Sequence, residues 1–175
     1  MFLKNYTSDV PVSESIRRIE QVLIQCGVKN IGKEYGIDQK VVALTFTVEE
    51  EGKPWMIRLP AKEKEATDAL FADYAGKEGV SKNGQEALDW RKKKRRRDFV
   101  TQGERTAWRI AKDWVEVQMS MIQLKQATPL TVFLPYAWDG KRTYYEALKA
   151  ANYAGLLRAP SEQPVDDVID AEVVR

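Results

Sequence analysis

The sequence predicts an α+β domain: an N-terminal helix, a three-stranded antiparallel sheet, then helices that include one long central one. Three observations predict it. Val42, Leu44, Phe46 and Val48 alternate with Thr45 and Thr47, the period of two that marks a strand covered on one side. Short apolar segments lie on either side of that strand, separated from it by turn residues at Gly36-Ile37-Asp38 and Glu51-Gly52. Beyond them, about Gln102 to Gln126 carries apolar residues at helical spacing without a proline or an internal stop.

Taken in order, residues 1–12 read as an extended arm ending in Val10-Pro11-Val12. Ser13 is placed to cap a helix running to about Cys26, with Ile16, Ile19, Leu23 and Cys26 on one face and Gly27 as its stop. Asn30 to Tyr35 is the first strand, Val41 to Glu49 the second, and Trp55 to Leu59 the third, with Trp55, Ile57 and Leu59 sharing a face until Pro60 ends it. One covered face suits an antiparallel meander. Glu63 to Tyr74 follows as a helix with Ala66, Ala69, Leu70 and Tyr74 inward.

Thr101 and Glu104 have capping-box spacing and are placed to open the long helix. Its expected core stripe is Ala107, Ile110, Ala111, Trp114, Val117, Met121 and Leu124. Trp108, Val115, Met119 and Ile122 form a second apolar row, and Arg109, Asp113, Glu116, Ser120 and Gln123 a narrow polar one. A helix apolar over more than half its girth is covered on two sides, as the spine of the domain or part of a homo-oligomer interface. Leu130 to Trp138 is an apolar connector broken by Pro135. Thr143 to Asn152 is a last helix, capped by Thr143 and Glu146, with Tyr144, Ala147, Leu148 and Ala151 inward.

This divides the chain into an arm at 1–12, a single domain at 13–158 with a flexible basic loop at 76–98, and a disordered acidic tail at 159–175. No apolar run reaches the roughly 20 residues that cross a bilayer, and the start lacks the apolar stretch of a secretion signal. The expectation is a cytoplasmic protein with no membrane partner. The chain has no histidine and one cysteine, Cys26. That excludes an internal disulfide, nucleophiles activated by histidine, and Cys/His zinc sites. No catalytic residue, metal ligand or cofactor is assigned.

The most concentrated signal is the run Arg91-Lys92-Lys93-Lys94-Arg95-Arg96-Arg97. The chain holds 28 Lys+Arg against 26 Asp+Glu, and without the run 21 against 26, so one segment makes the net charge of +2. Like charges at i and i+4 repel, and such a run needs water, counterions or a polyanion around it. Seven cations can follow a phosphate backbone, and Trp90 and Phe99 bracket them as candidates for base stacking. The expected site is therefore Trp90 with Arg91, Lys92, Lys93, Lys94, Arg95, Arg96 and Arg97. Its partner is nucleic acid, DNA or RNA, single- or double-stranded, bound without sequence preference. The plain alternative is a solvated loop with no partner.

Other features read as structural. Trp55, Trp108 and Trp114 have core spacing, whereas Trp90 and Trp138 suit exposure. Asp38 with Glu51-Gly52-Lys53 echoes an acidic-x-Lys nuclease signature, but that chemistry needs its acid and lysine on a strand, and these lie on a glycine turn. Arg109, Asp113 and Glu116 can pair along the long helix. Cys26 sits on an apolar face, where thiols are inert. The tail from Ala159 holds five acidic residues and one Arg. It is placed to fold back on the basic run and compete with nucleic acid.

Trp108-Arg109-Ile110-Ala111-Lys112-Asp113-Trp114-Val115-Glu116, Phe133-Leu134-Pro135-Tyr136 and Tyr145-Glu146-Ala147-Leu148 together resemble a family of small uncharacterised proteins of tailed bacteriophages and prophages. Lys33-Glu34-Tyr35, Val41 to Phe46 and Arg58-Leu59-Pro60-Ala61 fit the same pattern, so the resemblance covers most of the chain outside 76–98 and the tail. The ending Val168-Ile169-Asp170-Ala171-Glu172 looks like C-termini of some phage recombination proteins. The family carries no assigned activity. The resemblance implies a phage setting in the host cytoplasm, and it transfers no catalytic residue. The alternative to nucleic-acid binding is a protein–protein inhibitor or adaptor aimed at a host enzyme or defence system through the helical surface and aromatics, and a carboxylate-metal nuclease is the remote one. The helix-strand-strand-strand-helix order also occurs in double-stranded-RNA-binding modules and single-strand-annealing proteins, an analogy of topology alone.

Overall fold

A computed structural model describes residues 3–77 and 94–154. The elements run α1 (Val12–Gln25), β1 (Lys29–Tyr35), β2 (Val41–Glu50), β3 (Lys53–Pro60), α2 (Glu63–Lys77), a 3-10 turn (Arg96–Phe99), α3 (Val100–Gln123), α4 (Pro129–Phe133), a second 3-10 turn (Leu134–Tyr136) and α5 (Tyr144–Ala150). The architecture is α+β, as expected, with the three strands in the order β1-β2-β3 and both pairings antiparallel.

Local chemistry explains the N-terminal half. α1 starts two residues earlier than a cap at Ser13 would place it. Pro11 is the cap residue, extended at φ −59 and ψ 146, and no side chain caps the helix. Its end is a Schellman closure: Val28 N–H donates to Leu23 O at 3.0 Å and Gly27 N–H to Ile24 O at 2.9 Å, with Gly27 at φ +79. β2 and β3 join through Glu51 (φ +51) and Gly52 (φ +73), the two left-handed residues of a tight hairpin. That hairpin sets the register Leu44↔Leu59, Phe46↔Ile57, Val48↔Trp55. Leu44, Phe46, Val48, Ile57 and Leu59 are buried on the inner face. Trp55 shares that face but remains 36% exposed, contrary to its expected core position, because it sits near the hairpin end of the sheet. On the outer face Arg58 reaches Glu34 with two hydrogen bonds of 2.7 and 2.8 Å.

The core lies between this sheet and α1 and α3. Trp108, Val115 and Met119 of α3 pack with Ile16, Ile19, Val22 and Leu23 of α1. Phe133 of α4 closes one side, its ring 5.2 Å from Phe46 and 5.6 Å from Trp114, both edge-on.

The expected inward stripe of α3 is corrected in part. The buried residues are Gly103, Thr106, Ala107, Trp108, Lys112, Val115 and Met119, so Trp108, Val115 and Met119 of the second row join Ala107 of the first, with Ala111 and Trp114 packed against the core. Val117 and Leu124 are 56% and 69% exposed. The start of α3 is corrected too. Asp98 Oδ2 accepts Arg95 N–H at 2.7 Å and begins a 3-10 turn that runs into α3. Thr101 lies inside the helix, and Glu104 pairs instead with Lys40. The connector at 130–138 contains α4 and the second 3-10 turn, and Ala137 and Trp138 join the β3 edge, with Trp138 N–H donating to Met56 O at 2.9 Å. α5 uses its expected box: Glu146 Oε2 accepts Thr143 N–H at 2.8 Å, and Thr143 Oγ1 accepts Glu146 N–H at 3.3 Å. Tyr144 faces solvent instead of the core.

Candidate nucleic-acid interface

The described part of the basic run, Lys94 to Arg97, sits where the end of α2 meets the start of α3. The seat beneath it is aromatic. Phe99 lies 6.0 Å from Phe71 and 5.4 Å from Tyr74, ring centre to ring centre. Lys94 is fixed to this seat twice: its backbone N–H donates to Tyr74 Oη at 3.3 Å, and its ammonium stands 5.7 Å from the centre of the Phe99 ring. Phe99 is half-buried and occupied by these contacts, so it is the floor of the site and not a free stacking platform.

The four cations are all exposed but differ in their surroundings. Arg96 forms an ion pair with Asp68 of α2 through its Nε. That hydrogen bond holds the Asp68 carboxyl below its ordinary range and raises the guanidinium. Arg97 is 75% exposed, with Asp98 at 3.9 Å. Lys94 and Arg95 form no ion pair with any of the described residues. Trp90, Arg91, Lys92 and Lys93 lie outside the described residues, as does the acidic tail. Guanidinium and ammonium groups of this kind bind anions through several N–H donors each.

The remaining candidates fall elsewhere. Asp38 and Glu51 sit in the turns at opposite ends of β2, about 30 Å apart at ~3.4 Å per residue, so one ion cannot be shared between them. Among the described residues no three His, Cys, Asp or Glu side chains gather into a metal-holding group. Cys26 is half-buried at the end of α1, with its Sγ accepting from Gln123 Nε2 at 3.4 Å.

Sequence reasoning missed two polar clusters. In the first, buried Lys112 lies 2.7 Å from Asp113 and 2.8 Å from Glu116. Asp113 also holds the arm through Lys4 at 2.8 Å and Asn5 Nδ2 at 2.9 Å, and Glu116 binds Arg18 of α1 at 2.8 Å. Burial pushes Asp113 up, but the hydrogen bonds from Lys112, Lys4 and Asn5 outweigh it and hold the carboxyl well below its usual range. The available signal was Lys112 on an apolar phase of the helix with acids at i+1 and i+4. In the second, the indole N–H of buried Trp108 donates to Glu63 Oε1 at 2.7 Å. Burial raises the Glu63 carboxyl above its ordinary value, the indole opposes this, and Glu104 adds to it. An apolar groove of about 380 Å³ also lies between α2 and α3, walled by Leu59, Ala66, Ala107, Ile110 and Trp114, and it includes none of the four cations.

No helix among the described residues is long and apolar enough to cross a membrane. No family model, curated protein or solved structure matches the chain.

Proposed function

We propose that the chain is an accessory protein of a tailed bacteriophage or prophage that binds nucleic acid non-specifically in the host cytoplasm through residues 91–97, without chemistry. The observation that carries this reading is the exposure of Lys94, Arg95 and Arg97 on an ordered aromatic seat at the α2–α3 junction. Cations held out from a rigid support lose little freedom when they meet phosphate oxygens. They neutralise charge without reading bases.

The test is anisotropy of labelled single- and double-stranded DNA and RNA titrated across salt. Engagement of all seven cations would give a log K against log salt slope of roughly −5 on single strands and −6 on duplex, the upper limit for this run. Neutralising Lys94, Arg95 and Arg97 should flatten that slope by about two on single strands and nearly three on duplex. A wild-type chain with no affinity in dilute buffer ends this reading.

A second reading, a protein–protein inhibitor or adaptor acting on a host enzyme or defence system, is favoured by the exposed apolar residues Val117 and Leu124 on α3 and Ile24 on α1. The same patch suits a second copy of the chain. Val117→Glu with Leu124→Glu separates these readings. It abolishes partner capture or self-association if the patch is the interface, and leaves oligonucleotide affinity intact if the basic segment is.

A further inference from the structure

Consecutive side chains of a 3-10 helix project about 120° apart, so neighbouring arginines on one such turn cannot all face the same way. The turn Arg96–Phe99 imposes this on the end of the basic run. Arg96 meets Asp68 on the exposed side of α2. Arg97 stands out into solvent, and Arg95, extended just before the turn at φ −101 and ψ 159, has its backbone N–H held by Asp98 while its side chain stays exposed. Four residues that look equivalent in the sequence therefore differ: Arg96 gives its guanidinium to a carboxylate, Lys94 leans on the Phe99 ring while staying exposed, and Arg95 and Arg97 are exposed without a close ion pair.

We propose that Asp68 is a built-in competitor for nucleic-acid phosphate, holding Arg96 out of the interface as an anchoring residue while Lys94, Arg95 and Arg97 make the contacts. The inference rests on the nucleic-acid reading of the same segment. The pair takes the Nε–H of Arg96 and offsets its charge, so a phosphate approaching the remaining N–H groups also meets the Asp68 carboxylate. Asp68 is half exposed at its side chain, and besides Arg96 it feels the weaker charge of Lys64. The competition is thus that of a surface ion pair, weak enough to be displaced and strong enough to lower affinity measurably. The device sets a ceiling on how tightly the segment grips a polyanion. It also ties the end of the basic run to α2, so that the outward cations keep a defined spacing.

The test measures binding of labelled oligothymidylate, from dilute buffer to about 0.2 M salt, by wild type, Arg97→Gln, Arg96→Gln, Asp68→Asn and the double variant Asp68→Asn/Arg96→Gln. Arg97→Gln should weaken binding and flatten the salt slope by about 0.7, whereas Arg96→Gln should leave the slope unchanged. Asp68→Asn should tighten binding about two- to fivefold in dilute buffer, the range of a released surface pair, and steepen the slope by about 0.7. In the Arg96→Gln background the Asp68→Asn gain should vanish. The proposal is overturned if Arg96→Gln flattens the slope as much as Arg97→Gln. It is also overturned if the Asp68→Asn gain survives without Arg96, which would make it a general relief of negative charge. Absence of binding by the wild type removes the nucleic-acid reading itself, and this proposal with it. Matching thermal melts of all five proteins establish that the comparison is between folded chains.

Discussion

Gly103 of α3 rests directly on Thr67 of α2. A Cβ at position 103 would stand 2.1 Å from Thr67 Oγ1 and 2.9 Å from both Thr67 N and Cα. Two of those three atoms are backbone, so no rotamer change relieves the overlap, and the helices must separate. Gly103→Ala should destabilise the protein by about 1–3 kcal/mol despite its better helix propensity, read as a lower urea midpoint. Adding Thr67→Ala should restore only part of the loss, because the backbone overlap persists.

The Lys112 cluster sets the acid limit. Burial raises Asp113 and Glu116, but hydrogen bonds from Lys112, Lys4, Asn5 and Arg18 leave both carboxyls depressed. A depressed carboxyl contributes stability that is present above its unfolded value near pH 4 and is lost as pH falls through its folded value. Asp113→Asn should therefore cost about 1–2 kcal/mol at pH 7, as hydrogen bonds to a charged group do. Its deficit should shrink steadily below pH 4. A deficit that stays constant down to pH 2 would contradict this assignment.

Glu63 has the opposite sign. Burial first, then opposition from the Trp108 N–H and repulsion from Glu104, leave its carboxyl raised. A raised carboxyl favours folding below its unfolded value and loses that contribution as pH climbs through the folded one. Glu63→Gln keeps an acceptor for the indole and removes the charge. It should raise stability at pH 7 by about 0.5 kcal/mol, the scale of one weak charge repulsion. Near pH 4 the variant and wild type should melt together.

Thr143→Ala removes the hydroxyl that accepts Glu146 N–H, while the bond from the residue-143 backbone N–H to the Glu146 carboxylate can persist. A loss of about 1 kcal/mol is expected. Amide exchange should accelerate in α5 well before it does in β2, because this short helix lies outside the main core.

The sheet was readable because strand chemistry leaves little choice. With a period of two and a two-residue turn at Glu51-Gly52, only one register buries Leu44, Phe46, Ile57 and Leu59 together. α3 was harder for a physical reason. Apolar residues wrap more than half of it, so Trp108, Val115 and Met119 could not be ranked above Val117 and Leu124 without knowing where α1 lies. Lys112 was hidden by its type, since a lysine enters a core only when carboxylates meet its ammonium. Gly103 was invisible as a contact because its role is the side chain it lacks. The basic run was plain as a charge, but the difference between Arg96 and Arg97 depends on Asp68, nearly thirty positions away along the chain.

The aromatic seat of Phe71, Tyr74 and Phe99 has a further consequence for engineering. Together with the Gly103–Thr67 packing, it clasps the end of α2 to the start of α3 from both sides of residues 78–93. For a flexible insert added between ends clasped in this way, the closure entropy grows only logarithmically with length, by about 0.6 kcal/mol for each doubling. A flexible reporter peptide of about sixteen residues spliced between Lys77 and Lys94 should therefore lower the melting temperature by only a few degrees.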